Sequence, residues 1–377
     1  MTTVMIVTGE SSGELYGSLL AKALKIKRPD MRIIGIGGEK MKDAGVEIVS
    51  GIASSFGISE AIAAYKAVKA TFKKAVGAIE RFSPAILVLI DYPDFNIRLA
   101  KIAKKKGIKV LYYVSPQVWA WRKGRVKTIA MVSDRIAVIL PFEEEIYKGT
   151  GAQCEFVGHP ALEEIESLKK DTFAFKMSLG LDPERPVLAL LPGSRPHELK
   201  SLLPVMLDIV SNFKAEFPAY KYQFVMPVAP NVDIKKYQEY IGRLEHEGVI
   251  VKKENAINML SISALSVIAS GTATLQSAFL ETPMAVIYKI SALSYFIGKL
   301  VIKVKYISLI NLISGTEVVK ELIQSEADAK NIMKELKRIM LDKDYKEQMI
   351  NRFREAKNMF EGKQPSARVA EMICEMI

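Results

Sequence analysis

Short runs of β-branched and aliphatic residues alternate with helical stretches almost from end to end, and this alternation constrains the fold of the 377-residue chain more than any other feature. The first runs are Val4–Thr8, Met31–Ile36, Ala85–Ile90, Lys109–Val114, Arg135–Leu140 and Glu155–Val157. Their apolar character is nearly unbroken, as a strand covered on both faces requires. Such strands separated by helices predict a doubly wound parallel sheet. The pattern pauses over the charged stretch 163–184 and resumes at Pro186–Leu191, Tyr222–Met226, Val249–Val251, Leu265–Ala269 and Ala285–Tyr288. The chain is too long for one ordinary core. We therefore expect two α/β domains, 1–165 and 180–340, with a boundary near 160–185. Charged helices should fill 341–377.

In open parallel sheets, ligands bind beyond the carboxyl ends of the strands. Several unusual segments sit at such ends. The first strand runs into Gly9-Glu10-Ser11-Ser12-Gly13-Glu14, a polar turn at a helix start suited to an anion or a sugar hydroxyl. Ser11 and Glu14 also have the spacing of a capping box. Strand 85–90 delivers Asp91, then Tyr92-Pro93-Asp94-Phe95-Asn96. Two carboxylates in an aromatic turn fit acid/base chemistry, and an apolar setting poises one of them as a base. Asp91 is the candidate base. Asp94 suits the turn, or a cap for a helix beginning near Ile97. The next strand leads to Ser115-Pro116-Gln117-Val118-Trp119-Ala120-Trp121-Arg122, which holds both tryptophans of the chain. Aromatic faces suit sugar rings and acyl chains, and Arg122 suits a phosphate. The alternative is two tryptophans buried at a domain face; their clustering favours a site.

In the second array, Leu191-Pro192-Gly193-Ser194-Arg195 and Ser270-Gly271-Thr272-Ala273 each follow a strand and precede helix formers. Each offers backbone N–H groups to a phosphate, and two together fit a nucleoside diphosphate. The Walker spacing is absent. Gly35-Ile36-Gly37-Gly38 lacks the third glycine of a dinucleotide fingerprint and follows the second strand, so no nicotinamide or flavin cofactor is expected. Two distant cysteines and three histidines make no zinc-ligand pattern.

The formal charge of +11 calls for an anionic partner or serves solubility alone. Residues 56–79 place Ile58, Ile62, Tyr65, Val68, Phe72, Val76 and Ile79 at helical spacing beside Lys66, Lys69, Lys73 and Lys74. A basic amphipathic helix of this kind lies in a membrane interface or packs on its own sheet. No apolar run is long enough to span a bilayer, and no signal segment is evident, so a cytoplasmic location with peripheral membrane contact is expected.

Taken in order, these segments resemble the lipid-A-disaccharide synthase family. Further matches are Pro141-Phe142-Glu143, Gly158-His159-Pro160 and Asn311-Leu312. The resemblance implies the GT-B fold, two Rossmann-like doubly wound domains facing across a cleft, with the last helices packing back on the first. It implies an inverting transferase that moves 2,3-diacylglucosamine from its UDP derivative to the 6-hydroxyl of 2,3-diacylglucosamine 1-phosphate, at the anionic inner face of the inner membrane. No cofactor, metal or nucleic acid is implied. Carried over residue by residue, Asp91 is the base. Glu10, Ser12, Asn96, Ser115, Trp119 and Arg122 meet the acceptor. Gly193, Ser194, Arg195, Ser270, Gly271, Thr272, Ala273, Gln276 and Asn311 meet UDP. Three positions depart from the family pattern: Glu14 for aspartate, Gln276 for a ribose-binding glutamate, and Ile310 for proline. Rival readings are another GT-B enzyme of UDP-amino sugars, an undecaprenyl-linked transferase or an epimerase, and a non-catalytic lipid-surface protein.

Overall fold

A computed structural model describes residues 1–52, 61–119, 124–168, 171–229, 232–291, 295 and 304–377. The chain divides into two compact units, 1–160 with 362–377, and 161–361.

The first unit carries seven parallel strands: β1 (Thr3–Val7), β2 (Arg32–Ile36), β3 (Glu47–Ser50), β4 (Ile86–Ile90), β5 (Lys109–Tyr113), β6 (Arg135–Val138) and β7 (Gln153–Phe156). Their order is β3-β2-β1-β4-β5-β6-β7. Every residue of β4 is buried, as the unbroken apolar run demanded. Winding runs outward one way from β1 and the other way from β4. The switch point therefore lies between them, where Val7 pairs with Leu89. The loops leaving β1 and β4 are the Gly9 turn and the Asp91 turn.

The second unit carries six parallel strands: β8 (Val187–Leu191), β9 (Gln223–Val228), β10 (Val249–Lys253), β11 (Leu265–Ala269), β12 (Met284–Tyr288) and β13 (Glu321–Ile323). Their order is β10-β9-β8-β11-β12-β13, which puts the switch point between β8 and β11. The loops leaving those strands carry Gly193-Ser194-Arg195 and Ser270-Gly271-Thr272.

Strands β3 and β13 go beyond the sequence reading. Both are short edge strands whose residues are incompletely covered, so neither needs an unbroken apolar run. Of the closing helices, Lys343–Asn358 stays with the second unit, while Pro365–Met376 joins the first against the helix Ser11–Lys27. That last helix buries Val369, Ala370, Met372 and Ile373, and Arg368 grips the Glu155 carboxylate with two N–H groups at 2.6 and 2.8 Å.

Helix Ala61–Phe82 buries Thr71, Ala75, Ala78 and Ile79 against the first core and leaves Lys66, Lys69 and Lys73 exposed. Packing on its own sheet thus accounts for its C-terminal part. Phe56 and Ile58 lie outside the described residues. No described helix is long and apolar enough to cross a membrane.

Candidate active site

At the first switch point two loops are pressed together. A Cβ on Gly9 would lie 2.2 Å from Cγ of Tyr92, so only glycine lets the tyrosine ring rest on the β1 turn. Tyr92 stacks on Phe95, their centroids 5.1 Å apart. Burial raises the Tyr92 hydroxyl pKa, and the negative charges of Glu10 and Asp94 raise it further.

Asp91 and Tyr92 both have left-handed backbones, φ +47° and +50°, and Val114 at the end of neighbouring β5 has φ +60°. Such a conformation costs of order 1–3 kcal/mol per non-glycine residue, and for a β-branched valine it is exceptional. Three in one place need an external clamp. The Asp91 N–H donates to the Val114 carbonyl at 3.1 Å. The Asp91 carbonyl accepts from the Tyr112 hydroxyl and the Asn96 amide, both at 2.8 Å. The peptide is thus pinned on both sides, and its half-buried side chain departs from the strand end in one fixed direction.

Two expectations change here. Asn96 was expected to meet the acceptor. It is fully buried, and its Nδ2 goes to the carbonyls of Ile90 and Asp91, so it supports the turn. Asp94 was expected to cap a helix near Ile97. The helix begins at Pro93, Tyr92 stands at its N-cap, and the exposed Asp94 forms an ion pair with Arg125.

Ser115 and Trp119 are fastened to the loop and helix after β6. Trp119 Nε1 donates to Glu143 Oε1 at 3.1 Å, and its ring meets Phe142 edge-on. Glu143 Oε2 accepts from the N–H groups of Ile139 and Leu140, at 3.2 and 3.0 Å. Ser115 Oγ lies 2.5 Å from the Tyr147 hydroxyl. Burial pushes the Glu143 carboxyl up to about 7 against these N–H donors, and the Asp91 charge pushes the same way. Glu143 and Tyr147 were not among the expected site residues. The signal was there: Pro141-Phe142-Glu143 stands just past a strand end, as Asp91 does. Arg122 and Trp121 lie outside the described residues.

At the Gly9 turn, Glu10 is exposed at the N-cap of helix Ser11–Lys27 and Ser12 is half-buried in its first turn. The capping-box reading of Ser11 and Glu14 changes. Glu14 Oε1 accepts from the Lys40 N–H at 2.9 Å, bracing the start of helix Glu39–Asp43. His159, just past β7, is buried edge-on against Tyr16, and burial pushes its pKa down to about 3.

In the second unit, Gly193 has φ +94°, and a Cβ there would lie 2.2 Å from Glu198 Oε2. That oxygen accepts from the N–H groups of Ser194 and Arg195, at 3.0 and 3.1 Å. The Ser194 and Arg195 N–H groups, expected to face a phosphate, are thus occupied by the helix's own carboxylate. The Arg195 guanidinium remains more than half exposed, 3.7 Å from Glu198 Oε1.

After β11, Ser270 Oγ bonds the Ile307 carbonyl at 2.8 Å. Gly271 is exposed, and Thr272, Ala273 and Gln276 are half-buried on the helix Thr272–Phe279. Asn311 is corrected. It is fully buried, donating to Val319 O and Glu321 Oε1 and accepting from the N–H groups of Val318 and Val319. With its side-chain bonding capacity filled by protein, it braces β13. Among the described residues no group of three or more metal-ligating side chains converges. Asp342 caps the helix Lys343–Asn358, accepting from the Tyr345 N–H at 3.0 Å.

Two parallel α/β sheets, each with reactive or anion-suited residues at its switch point, define the class: a GT-B protein. Solved structures agree at the level of fold. The Staphylococcus aureus MnaA–UDP co-structure superposes with a TM-score of 0.70 at 11% identity, covering 100% of this chain and 98% of that one. The UDP-GlcNAc 2-epimerase of Neisseria meningitidis bound to UDP-GlcNAc gives 0.69 at 12%, covering 99% of each. Sequence narrows the class. Residues 4–373 match the family model for lipid-A-disaccharide synthetase. Curated lipid-A-disaccharide synthases of Myxococcus xanthus and Geobacter sulfurreducens are 37% and 38% identical, each match covering 99% of this chain and 97% of the relative. The chain belongs to the lipid-A-disaccharide synthase family and is a glycosyltransferase of lipid A biosynthesis.

Proposed function

We propose that the chain transfers 2,3-diacylglucosamine from its UDP derivative to the 6-hydroxyl of 2,3-diacylglucosamine 1-phosphate, with Asp91 as the base. The observation that carries this reading is the clamped turn at the first switch point. A strained peptide held by Asn96, Tyr112 and Val114 aims one carboxylate in a fixed direction, and such strain concentrates at functional sites.

The carboxylate of Asp91 takes the proton of the 6-hydroxyl as that oxygen attacks the anomeric carbon from the face opposite UDP. The new C–O bond inverts the anomeric centre. The old bond breaks toward the diphosphate, whose departing charge is met by the Arg195 guanidinium and the start of helix Thr272–Phe279. Gly271, Thr272 and Ala273 supply backbone donors there, and Gln276 an amide for the ribose. Glu10, Ser12 and Trp119 lie on the acceptor side, the tryptophan as a face for the sugar or an acyl chain.

An epimerase is the second reading, since epimerases share the fold. The sequence favours the synthase: identity is near 40% to synthases and near 12% to epimerases. UDP release from protein given both lipid substrates in detergent tests the proposal. Asp91→Asn keeps the shape and removes the proton acceptor, so turnover should fall ~100- to 10,000-fold with UDP affinity unchanged. Near wild-type single-turnover rates in Asp91→Asn would remove the base assignment, and no UDP release by the wild type would remove the substrate assignment.

A further inference from the structure

We propose that Glu143 is a positioning residue for the lipid acceptor, a latch whose carboxylate holds Trp119 against the loop that follows β6. The inference rests on the reading of Trp119 as an acceptor contact.

Glu143 is only 2% exposed, and a buried carboxylate demands compensation. Its two oxygens divide the task. Oε2 takes the N–H groups of Ile139 and Leu140, which anchors it to its own side. Oε1 reaches across to the indole N–H of Trp119, on the loop leaving β5. The carboxylate is therefore the bridge between two strand-end loops beside the Asp91 turn. Ser115 and Tyr147 join the same two segments a second time, and Phe142 supports the indole edge. A purely structural site could be filled as well by apolar packing, because a buried ion is a weak source of stability. A charge kept here serves to hold one tryptophan in one place.

The latch depends on ionisation. The ionised carboxylate is the stronger acceptor for all three N–H groups; a proton on either oxygen replaces a charged acceptor with a neutral one and weakens the bonds. Burial brings that change to about pH 7. Around Glu143 stand Asp91 from the β4 end, Tyr147 on its own helix, and Cys154 on β7, which also faces Glu144 and Glu155. Asp91 is the group there that adds a negative charge to oppose ionisation of Glu143. As pH falls through about 7 the latch should loosen, and acceptor KM should rise while donor KM stays level.

Two measurements on the full chain decide the matter. In a Trp121→Phe background, Trp119 is the sole indole. Its fluorescence should titrate in one step near pH 7, and the step should vanish in Glu143→Gln. In steady-state kinetics, Glu143→Gln should raise acceptor KM about 10-fold or more, the loss of a charged hydrogen bond, with donor KM within about twofold. Trp119→Phe keeps a ring and removes the N–H, so it should abolish the pH step in acceptor KM while Glu143 is intact. A fluorescence step that persists in Glu143→Gln, or no step with Glu143 present, overturns the latch. A step that vanishes as expected while acceptor KM is unmoved overturns the positioning role. If the wild type releases no UDP, the substrate reading falls, and the fluorescence arm still decides the latch.

Discussion

His159 offers a test of the first unit in which proton linkage sets the magnitude. The imidazole is 1% exposed, lies edge-on to Tyr16 at 5.8 Å, and is pushed by burial down to about pKa 3. In the unfolded chain its pKa returns to about 6.5. Between those values the unfolded state binds a proton that the folded state refuses, so stability rises with pH. The contribution is complete above about pH 6.5 and is lost as pH falls toward 3, at ~1.4 kcal/mol per pH unit. From about pH 7.5 to about pH 5 the loss is ~2 kcal/mol. Glu143 has the opposite sign. Its folded pKa is raised from 4.5 to about 7, so the folded state keeps a proton the unfolded state has released. Its contribution is full below about 4.5 and is lost as pH rises through 7; over the same pH range it is worth ~2 kcal/mol in the opposite direction and offsets the histidine's effect in the wild type, so only the variants separate the two. Both tryptophans belong to the segment 1–160, so fluorescence-detected urea unfolding reports on that unit. His159→Phe should lose ~2 kcal/mol less stability than the wild type between the two pH values, and Glu143→Gln should lose more than the wild type. Equal pH slopes in wild type and His159→Phe would refute the reasoning, whatever the absolute stability of the variant.

The site yields two more expectations. Arg195→Ala should leave the fold intact, because the side chain is more than half exposed and its ion pair with Glu198 is long, at 3.7 Å. It should weaken UDP binding about 10- to 100-fold, the ~1.5–3 kcal/mol of a charged hydrogen bond, and unchanged affinity by calorimetry would take Arg195 out of the donor site. Charge reversal at Lys66, Lys69 and Lys73, all exposed on helix Ala61–Phe82, should reduce sedimentation with anionic vesicles. Lysines near such a surface are each worth ~1 kcal/mol and are screened by salt, so binding indifferent to both salt and reversal would return this helix to packing alone.

The two-sheet architecture and the loops that matter were legible in the chain's apolar runs. Buried parallel strands need unbroken apolar runs, and those runs are written plainly at β1, β4, β8 and β11. The residues after them, Gly9, Asp91, Gly193 and Gly271, therefore stood out before any coordinates. The order of the strands was not written there. Local periodicity records that a strand is covered on both faces but not which strands cover its edges, so the switch points at β1/β4 and β8/β11 came only with the tertiary structure. The same limit governs the polar side chains. Asn96, Asn311 and Glu198 carry the residue types of ligand contacts, and the chain uses all three to satisfy its own backbone: a carbonyl beside Asp91, the turn before β13, the N–H groups of Ser194 and Arg195. A hydrogen-bonding group takes whatever partner folding brings within about 3 Å; these partners are near in sequence, yet the pairing is decided by turn geometry that periodicity does not record. Glu143 is the converse case. It was legible as one acidic residue in Pro141-Phe142-Glu143, and only the approach of Trp119 from another strand end turned it into a bridge.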